Sequence, residues 1–180
     1  MAWWPIKAAQ ECTGVDRIYV STDDPEIVAV AESFGSHIIE RPEYLASNAA
    51  LGEDAYAHAH GVVQAEAQRE GVYVELYVLL MANAVTVTSD QISQGIAVLR
   101  ERPDVDSAVT VSCYNMWSPL RARRITDEGL LQPFVPFGGF GDPRTLNCDR
   151  DSQGDVWFAD MGVSVVRPQN LEDLHSGLLP

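Results

Sequence analysis

The segment 14–46 constrains the fold more than any other part of this 180-residue chain. It contains a short β-rich run at 18–20, a polar turn at 21–24, an amphipathic helix, a second apolar run and an Arg-Pro pair. Asp24 is suited to cap the helix and Pro25 to begin it, because the first helical N–H has no intrahelical partner. The pattern predicts a strand–turn–helix–strand unit. Its polar turn follows the carboxyl end of a strand, where open α/β sheets bind ligands.

Strands and helices alternate through the first two-thirds of the chain. Apolar spacing predicts a helix that ends near Gly71 and a buried strand over 74–81. Ser89 is suited to cap a further helix, which Pro103 stops, and a strand follows over 106–112. This alternation predicts an α/β fold of Rossmann type, with a doubly wound, mostly parallel sheet and helices on both faces.

The pattern changes at 113, where a segment with several arginines and turn residues begins. The turn at 127–129, followed by two leucines, predicts a β-hairpin within 113–137 rather than another strand–helix–strand unit. A last strand is expected over 163–166. Because 180 residues suit one core, we predict a single α/β domain over 1–180.

The net charge of −14 limits the classes of ligand. A surface this acidic repels a phosphate backbone, so we expect no nucleic-acid partner. Free nucleotides are also repelled unless Mg²⁺ or a local cation intervenes. The chain contains neither an apolar run near 18 residues nor a signal-peptide pattern, and its 3 cysteines lack metal-site spacing. These features predict a cytoplasmic protein with reduced thiols and no membrane partner.

Several short motifs share the order and spacing of a known family: Val20-Ser21-Thr22-Asp23, Glu26-Ile27, Arg41-Pro42 and Leu45-Ala46. Looser similarity continues through 79–80 and 89–96 and resumes at 157–166. In these motifs the chain resembles the acylneuraminate cytidylyltransferases, the CMP-sialic acid synthetases and their relatives. The resemblance implies transfer of CMP from CTP to a sialic-acid-like sugar acid, with Mg²⁺ as cofactor and release of pyrophosphate. It also implies a homodimer in which 113–137 is a dimerisation arm; a solvated hairpin is the alternative.

Arg41 and Asn83 are the main candidates for substrate binding. Pro42 favours an extended backbone at Arg41, which can present a fork of donors to a phosphate or ribose. A surface ion pair with Glu40 or Glu43 is the alternative. Asn83 follows the strand over 74–81, where its amide can contact a base edge or a sugar hydroxyl.

Ser21 and Asp23 are further candidates for substrate binding, although helix capping explains Asp23 equally well. Asp160 is the candidate Mg²⁺ ligand, because the resemblance places a metal-binding aspartate just before the last strand. A helix or turn cap is the alternative role for Asp160. Mg²⁺ usually takes one or two carboxylates and fills its remaining positions with phosphate oxygens and water.

The chain departs from the family in the triphosphate-binding loop and at Met81. The resembling enzymes begin with a strand and a Gly- and Lys-bearing loop that grips the triphosphate, whereas this sequence has only Lys7 as a side-chain cation before Gly14. We therefore expect the strands at 18–21 and 74–81 to lack the strand that would lie between them. Met81 stands where sialic acid synthetases usually carry glutamine, and a thioether cannot replace an amide's hydrogen bonds.

Three functions stay open on the sequence alone. The first is a cytidylyltransferase, with the activity of this chain by itself in question. The second is a nucleotide- or sugar-binding relative without turnover. The third is a metal-dependent glycosyltransferase acting on a sugar nucleotide, suggested by the Asp-x-Asp pattern of Asp149 and Asp151.

Overall fold

The computed structural model describes residues 1–139, 144, 147, 149–172 and 174. The α-helices are α1 (Trp3–Gln10), α2 (Pro25–Ser33), α3 (Glu43–Ala46), α4 (Gly52–Glu70) and α5 (Ser89–Glu101). The strands are β1 (Tyr19–Thr22), β2 (His37–Glu40), β3 (Tyr77–Leu80), β4 (Ser107–Cys113), β5 (Arg123–Ile125), β6 (Leu131–Pro133) and β7 (Trp157–Val166). No helix in the described ranges is long and apolar enough to span a membrane.

Helix boundaries follow local side-chain chemistry. Asp24 Oδ1 accepts a hydrogen bond of 2.7 Å from the Glu26 N–H, and Pro25 begins α2, as predicted. The prediction that Ser89 caps α5 is wrong, because Thr88 is the cap. Thr88 Oγ1 accepts from the Gln91 N–H at 3.3 Å, and Gln91 Oε1 accepts from the Thr88 N–H at 3.0 Å. This reciprocal capping box satisfies the backbone N–H groups of Thr88 and Gln91, which a cap at Ser89 would leave without these bonds.

The strands of the described residues form 3 separate sheets. β1 and β2 are parallel, with Tyr19 opposite His37. β7 lies between β3 and β4, and it runs antiparallel to β3 with Val166 opposite Tyr77. β5 and β6 form an antiparallel hairpin, as predicted for this segment. The fold is therefore mixed α/β, and a continuous, mostly parallel sheet is not observed in the part of the chain described.

One reason that the predicted continuous sheet is not observed is that no described strand pairs with both β1 and β3. Among the described residues β1 pairs with β2 and β3 pairs with β7, so the two strands belong to different sheets. The other reason is the direction of β7, which brings the chain back beside β3. Because β7 lies between β3 and β4, this antiparallel pairing is at the centre of its sheet rather than at an edge.

Side chains of β3 alternate between two hydrophobic clusters. Val78 and Leu80 contact the larger cluster, whose fully buried members include Ile92, Leu99 and Val165. Tyr77 and Leu79 contact a smaller cluster, formed by Val166, Leu171 and Leu174. Because strand side chains point alternately to the two faces, both faces of β3 are covered. This packing holds the carboxyl end of β3 in place.

Clustering of contacts divides the chain into two compact units. The first comprises Met1–Thr110 and Met161–Pro180, and the second comprises Val111–Asp160. The second unit contains the predicted hairpin segment 113–137. Its large apolar residues are mostly exposed, including Trp117, Ile125, Leu131, Phe134 and Trp157. The prediction of one domain over 1–180 stays a prediction.

Tyr77 makes the stability of the fold sensitive to alkali. Burial raises the pKa of Tyr77 from 10.0 to about 12, and its hydroxyl lies 3.1 Å from Nδ1 of His60. The unfolded chain ionises this phenol near pH 10, so the unfolded state binds fewer protons than the folded state between the two pKa values. The contribution of Tyr77 to stability is thus complete below about pH 10 and is lost as the pH rises towards about 12.

We expect the urea midpoint of the wild-type protein to fall more between about pH 9 and about pH 11.5 than the midpoint of Tyr77→Phe. The variant keeps the ring in the smaller cluster but removes the ionisable hydroxyl. Chemical unfolding at both pH values measures the difference. Parallel losses in the two proteins would show that Tyr77 does not titrate with a raised pKa.

Candidate functional site

The carboxyl ends of β1 and β2 are joined by Arg41. Its Nη2 donates to the Ser21 carbonyl oxygen at 2.7 Å, and its Nε donates to Ser21 Oγ at 3.3 Å. Its backbone N–H donates to the carbonyl oxygen of Thr22 at 3.1 Å. The parallel register of β1 and β2 brings Ser21 and Arg41 together, although 20 positions separate them in sequence.

Among the described residues, Arg41 forms no ion pair with Glu40 or Glu43, so the surface ion pair offered as its alternative role is not observed. The bonds to Ser21 fix one edge of the guanidinium. Its Nη1 group has no hydrogen-bond partner among the described residues. A guanidinium held in this way presents donors in a fixed plane, which suits phosphate, carboxylate or ribose oxygens.

The polar turn after β1 contains two aspartates with different roles, Asp24 as a helix cap and Asp23 as an exposed side chain. Asp24 caps α2, and its N–H donates to Thr22 Oγ1 at 3.1 Å. Asp23 is exposed, and its carboxylate has no hydrogen-bond partner in the described ranges. The capping role that sequence offered as an alternative for Asp23 therefore belongs to its neighbour.

The carboxyl end of β3 adds Met81 and Asn83. The Asn83 carbonyl oxygen accepts from the Val85 N–H at 3.0 Å, which closes a turn and leaves the side chain exposed. The hydroxyl of Tyr56, on α4, lies 3.7 Å from the Met81 sulfur. Ser21, Asp23, Arg41 and Asn83 thus all follow or end strands of the first unit, on the carboxyl side of each strand.

Tyr56 is a member of this site that sequence reasoning missed. Burial raises the pKa of its phenol; Arg41 lowers that pKa and Glu53 raises it, so both charges lie within electrostatic reach of the hydroxyl. The sequence carried a signal, because Tyr56, His60 and Val63 follow helical spacing on one stripe of α4. The position of a tyrosine in such a stripe predicts a core residue. The fold is needed to show that its hydroxyl lies at the carboxyl end of β3.

Asp160 lies in the second unit, within β7. It is exposed, and its Oδ2 accepts a hydrogen bond of 2.8 Å from Ser112 Oγ. The next residue, Met161, has a φ of +57°, a left-handed conformation that non-glycine residues seldom adopt. The exposed Asp160 carboxylate can act as a single hard oxygen ligand.

The Asp-x-Asp pattern has a structural explanation within the second unit. Asp149 Oδ1 accepts from the Asp151 N–H at 3.1 Å and caps a short 3₁₀ helix. Asn115 Nδ2 donates to Asp151 at 2.9 Å and to Asp155 at 3.3 Å. No group of three or more His, Cys, Asp or Glu side chains in the described ranges is arranged to hold a metal ion. These carboxylates order a loop, and the glycosyltransferase interpretation gains no support from them.

Comparison with known proteins identifies the fold through structure alone. No protein-family model and no curated protein sequence matches the chain. A CMP-2-keto-3-deoxy-manno-octonic acid synthetase solved in complex with CTP aligns with 97% of this chain and 66% of its own, at 14% identity and a TM-score of 0.58. A 4-diphosphocytidyl-2C-methyl-D-erythritol synthase from Anaerococcus prevotii aligns with 99% of this chain and 66% of its own, at 11% identity and a TM-score of 0.57.

The chain therefore has a cytidylyltransferase-like fold and spans just under two-thirds of each of these two structures. At this level of identity the similarity establishes the fold alone, because one fold hosts many chemistries. The resemblance to cytidylyltransferases seen in the sequence is confirmed at the level of the fold. The acylneuraminate branch in particular is not identified by it.

Proposed function

We propose that this protein binds a cytidine nucleotide at the carboxyl ends of β1, β2 and β3, as a member of the cytidylyltransferase class. The observation that carries the proposal is Arg41, which is fixed on Ser21 while its Nη1 has no partner among the described residues. The fold supports the choice of nucleotide, because a structural neighbour was solved in complex with CTP. Ligands of open α/β sheets bind at this edge.

The reaction proposed is transfer of CMP from CTP to a sialic-acid-like sugar acid. A sugar hydroxyl attacks the α-phosphorus and releases its proton to water; the new P–O bond forms as the bond to pyrophosphate breaks. Arg41 would position phosphate or ribose oxygens, while Asn83 and Ser21 would offer neutral hydrogen-bonding groups. The exposed carboxylate of Asp23 would contact hydroxyl donors. Positioning of this kind lowers the barrier without a covalent intermediate on the protein.

Mg²⁺ is proposed as the cofactor, and Asp160 as its protein ligand. One exposed carboxylate oriented by Ser112 fits an ion that often takes one or two carboxylates and completes its shell with phosphate oxygens and water. When bound, the ion would neutralise triphosphate charge. Neutralisation matters here because the protein carries a net charge of −14.

The hairpin of β5 and β6 is proposed as an arm that contacts a second copy of the chain. Its exposed apolar side chains include Ile125, Leu130, Leu131 and Phe134. Burial of such residues drives association of subunits. We propose a homodimer on this basis. The cytoplasmic location is proposed from the sequence pattern, and the sugar-acid partner from the resemblance.

A binding protein without turnover is the second candidate function. The segments 21–24, 40–44 and 81–85, which follow or end β1, β2 and β3, contain a single cation, Arg41. Stabilisation of a departing pyrophosphate usually requires several donors and charges. Nucleotide binding is common to both candidates, and a pyrophosphate-release assay with sugar-acid acceptors separates them.

Calorimetric titration tests the shared part of the proposal. We expect CTP to bind in the presence of Mg²⁺, with weaker binding of UTP and weaker binding of CTP without the metal. Arg41→Lys should weaken CTP binding by about tenfold to a hundredfold, because lysine loses the planar fork and a hydrogen bond to a charged group contributes about 1.5–3 kcal/mol.

The matched control is Arg69→Lys, on the exposed surface of α4, where Arg69 Nε donates to the Ala65 carbonyl oxygen at 3.3 Å. Arg69→Lys should change CTP affinity by less than about twofold. Arg69 lies near the end of α4, far along the helix from Tyr56, which contacts the end of β3. Failure of the wild-type protein to bind millimolar CTP with Mg²⁺ would refute the proposed function. Equal effects of the two substitutions would refute the role of Arg41.

A further inference from the structure

Tyr56 brings a hydroxyl with only a weak partner to the ends of the strands. Among the described residues that hydroxyl has one hydrogen-bond partner, the Met81 sulfur at 3.7 Å. Thioether sulfur is a weak acceptor, so the phenol can exchange this contact for a stronger one at little cost. Half-buried polar groups usually have a better partner, and a bound ligand can provide it.

The ring of Tyr56 is held by packing. It contacts the smaller hydrophobic cluster of Val166, Leu171 and Leu174, and Tyr77 and Leu79 of β3 contact the same cluster. The ring therefore cannot move far without exposing apolar surface. A donor fixed in this way loses little conformational freedom when it binds a ligand.

The surroundings of the hydroxyl favour an uncharged part of the ligand. Arg41 and Glu53 both lie within electrostatic reach of it; Arg41 attracts phosphate, whereas Glu53 repels it. The Met81 thioether adds an apolar, polarisable surface that suits the face of an aromatic ring. Removing a phosphate from water against Glu53 and the Met81 thioether would be unfavourable, whereas a pyrimidine has apolar faces and neutral acceptor atoms.

We propose that Tyr56 contacts the nucleoside of the bound nucleotide: its hydroxyl donates a hydrogen bond to an acceptor atom of the pyrimidine, and the Met81 thioether packs against the ring. This inference rests on the proposed binding of CTP and assigns the two ends of the ligand. Arg41 holds the phosphate or ribose side, and Tyr56 with Met81 holds the base side. Sequence reasoning gave neither Tyr56 nor a positive role for Met81.

The test compares two ligands on one conservative variant. Tyr56→Phe keeps the ring in the cluster and removes the hydroxyl. With Mg²⁺ present, we expect its affinity for CTP to fall about three- to tenfold, the usual effect of losing one neutral hydrogen bond. Its affinity for inorganic tripolyphosphate should stay that of the wild type. Tyr73→Phe, at a tyrosine 85% exposed, is the control and should change neither affinity.

Each outcome bears on a separate statement. Wild-type protein that binds no CTP refutes the proposed function and this inference with it. Wild-type protein that binds CTP, with Tyr56→Phe equal to it within about twofold, refutes the inference alone. Equal weakening for CTP and tripolyphosphate would place Tyr56 on the phosphate side and also overturn the assignment. A thermal midpoint unchanged in Tyr56→Phe shows that the comparison concerns binding rather than folding.

Discussion

Replacing Gly95 by alanine should destabilise the protein, although alanine is the better helix former. Gly95 lies within α5, and a Cβ built at this position would stand 2.6 Å from Cγ2 of Val165. Val165 is fully buried in β7, and its branched side chain has little rotamer freedom. Overpacking of this kind costs about 1–3 kcal/mol. For a chain of this length we expect the melting temperature to fall by several degrees, at about 2–4 °C per kcal/mol.

Gly61 provides the matched control, because a Cβ built there meets no atom within 4 Å. It lies in the exposed part of α4, where Gly61→Ala should stabilise the helix by about 0.5–1 kcal/mol. Calorimetric melting of both variants gives the comparison. A melting temperature raised by both substitutions would mean that α5 does not approach β7 as closely as the structure shows.

Replacing Arg167 by methionine should lower the free energy of unfolding by about 3 kcal/mol, because several hydrogen bonds from one charged group are lost. Its guanidinium donates to the carbonyl oxygens of Leu99 at 2.8 Å, Arg102 at 3.1 Å and Val105 at 3.0 Å. These carbonyls belong to the last turn of α5 and the loop that follows, where helices leave acceptors unsatisfied. A cation at this end also favours the helix dipole.

Arg102→Met is the control for Arg167. Among the described residues the Arg102 side chain pairs with Asp104 alone, and both side chains are 61% exposed. Exposed ion pairs of this kind contribute about 0–1 kcal/mol. Urea unfolding should separate the two variants by about 2 kcal/mol or more. Similar free energies of unfolding for both variants would contradict the capping role of Arg167.

Local features of the fold were accessible from the sequence because they depend on neighbouring residues. Asp24 and Pro25 begin α2 as expected, since a capping bond needs only the adjacent backbone. The hairpin of β5 and β6 was predicted from its turn, in which Gly129 adopts a φ of +78°. The sequence indicates Arg41 and Ser21 as separate candidates, but their contact depends on the parallel register of β1 and β2.

Features that depend on distant contacts could not be read from the sequence. The direction of β7 relative to β3 depends on how the chain returns after Val111–Asp160, and an apolar run carries no direction. The helical spacing of Tyr56 predicts a core residue, and its ring does pack against the smaller cluster; its hydroxyl cannot be placed from that spacing. The Asp149 and Asp151 pattern reads as a metal motif, whereas Asp149 accepts a bond from the Asp151 backbone.

The most direct test of the account is to locate nucleotide binding on the chain by NMR, for which a 19.8 kDa protein is well suited. An ¹⁵N-labelled sample would be titrated with CTP and Mg²⁺. We predict that the largest amide shifts occur at 21–24, at Arg41 and at 81–84, with little change in α1. Shifts that are absent from these segments, or centred on another part of the molecule, would contradict the assignment of the nucleotide site to the carboxyl ends of β1, β2 and β3.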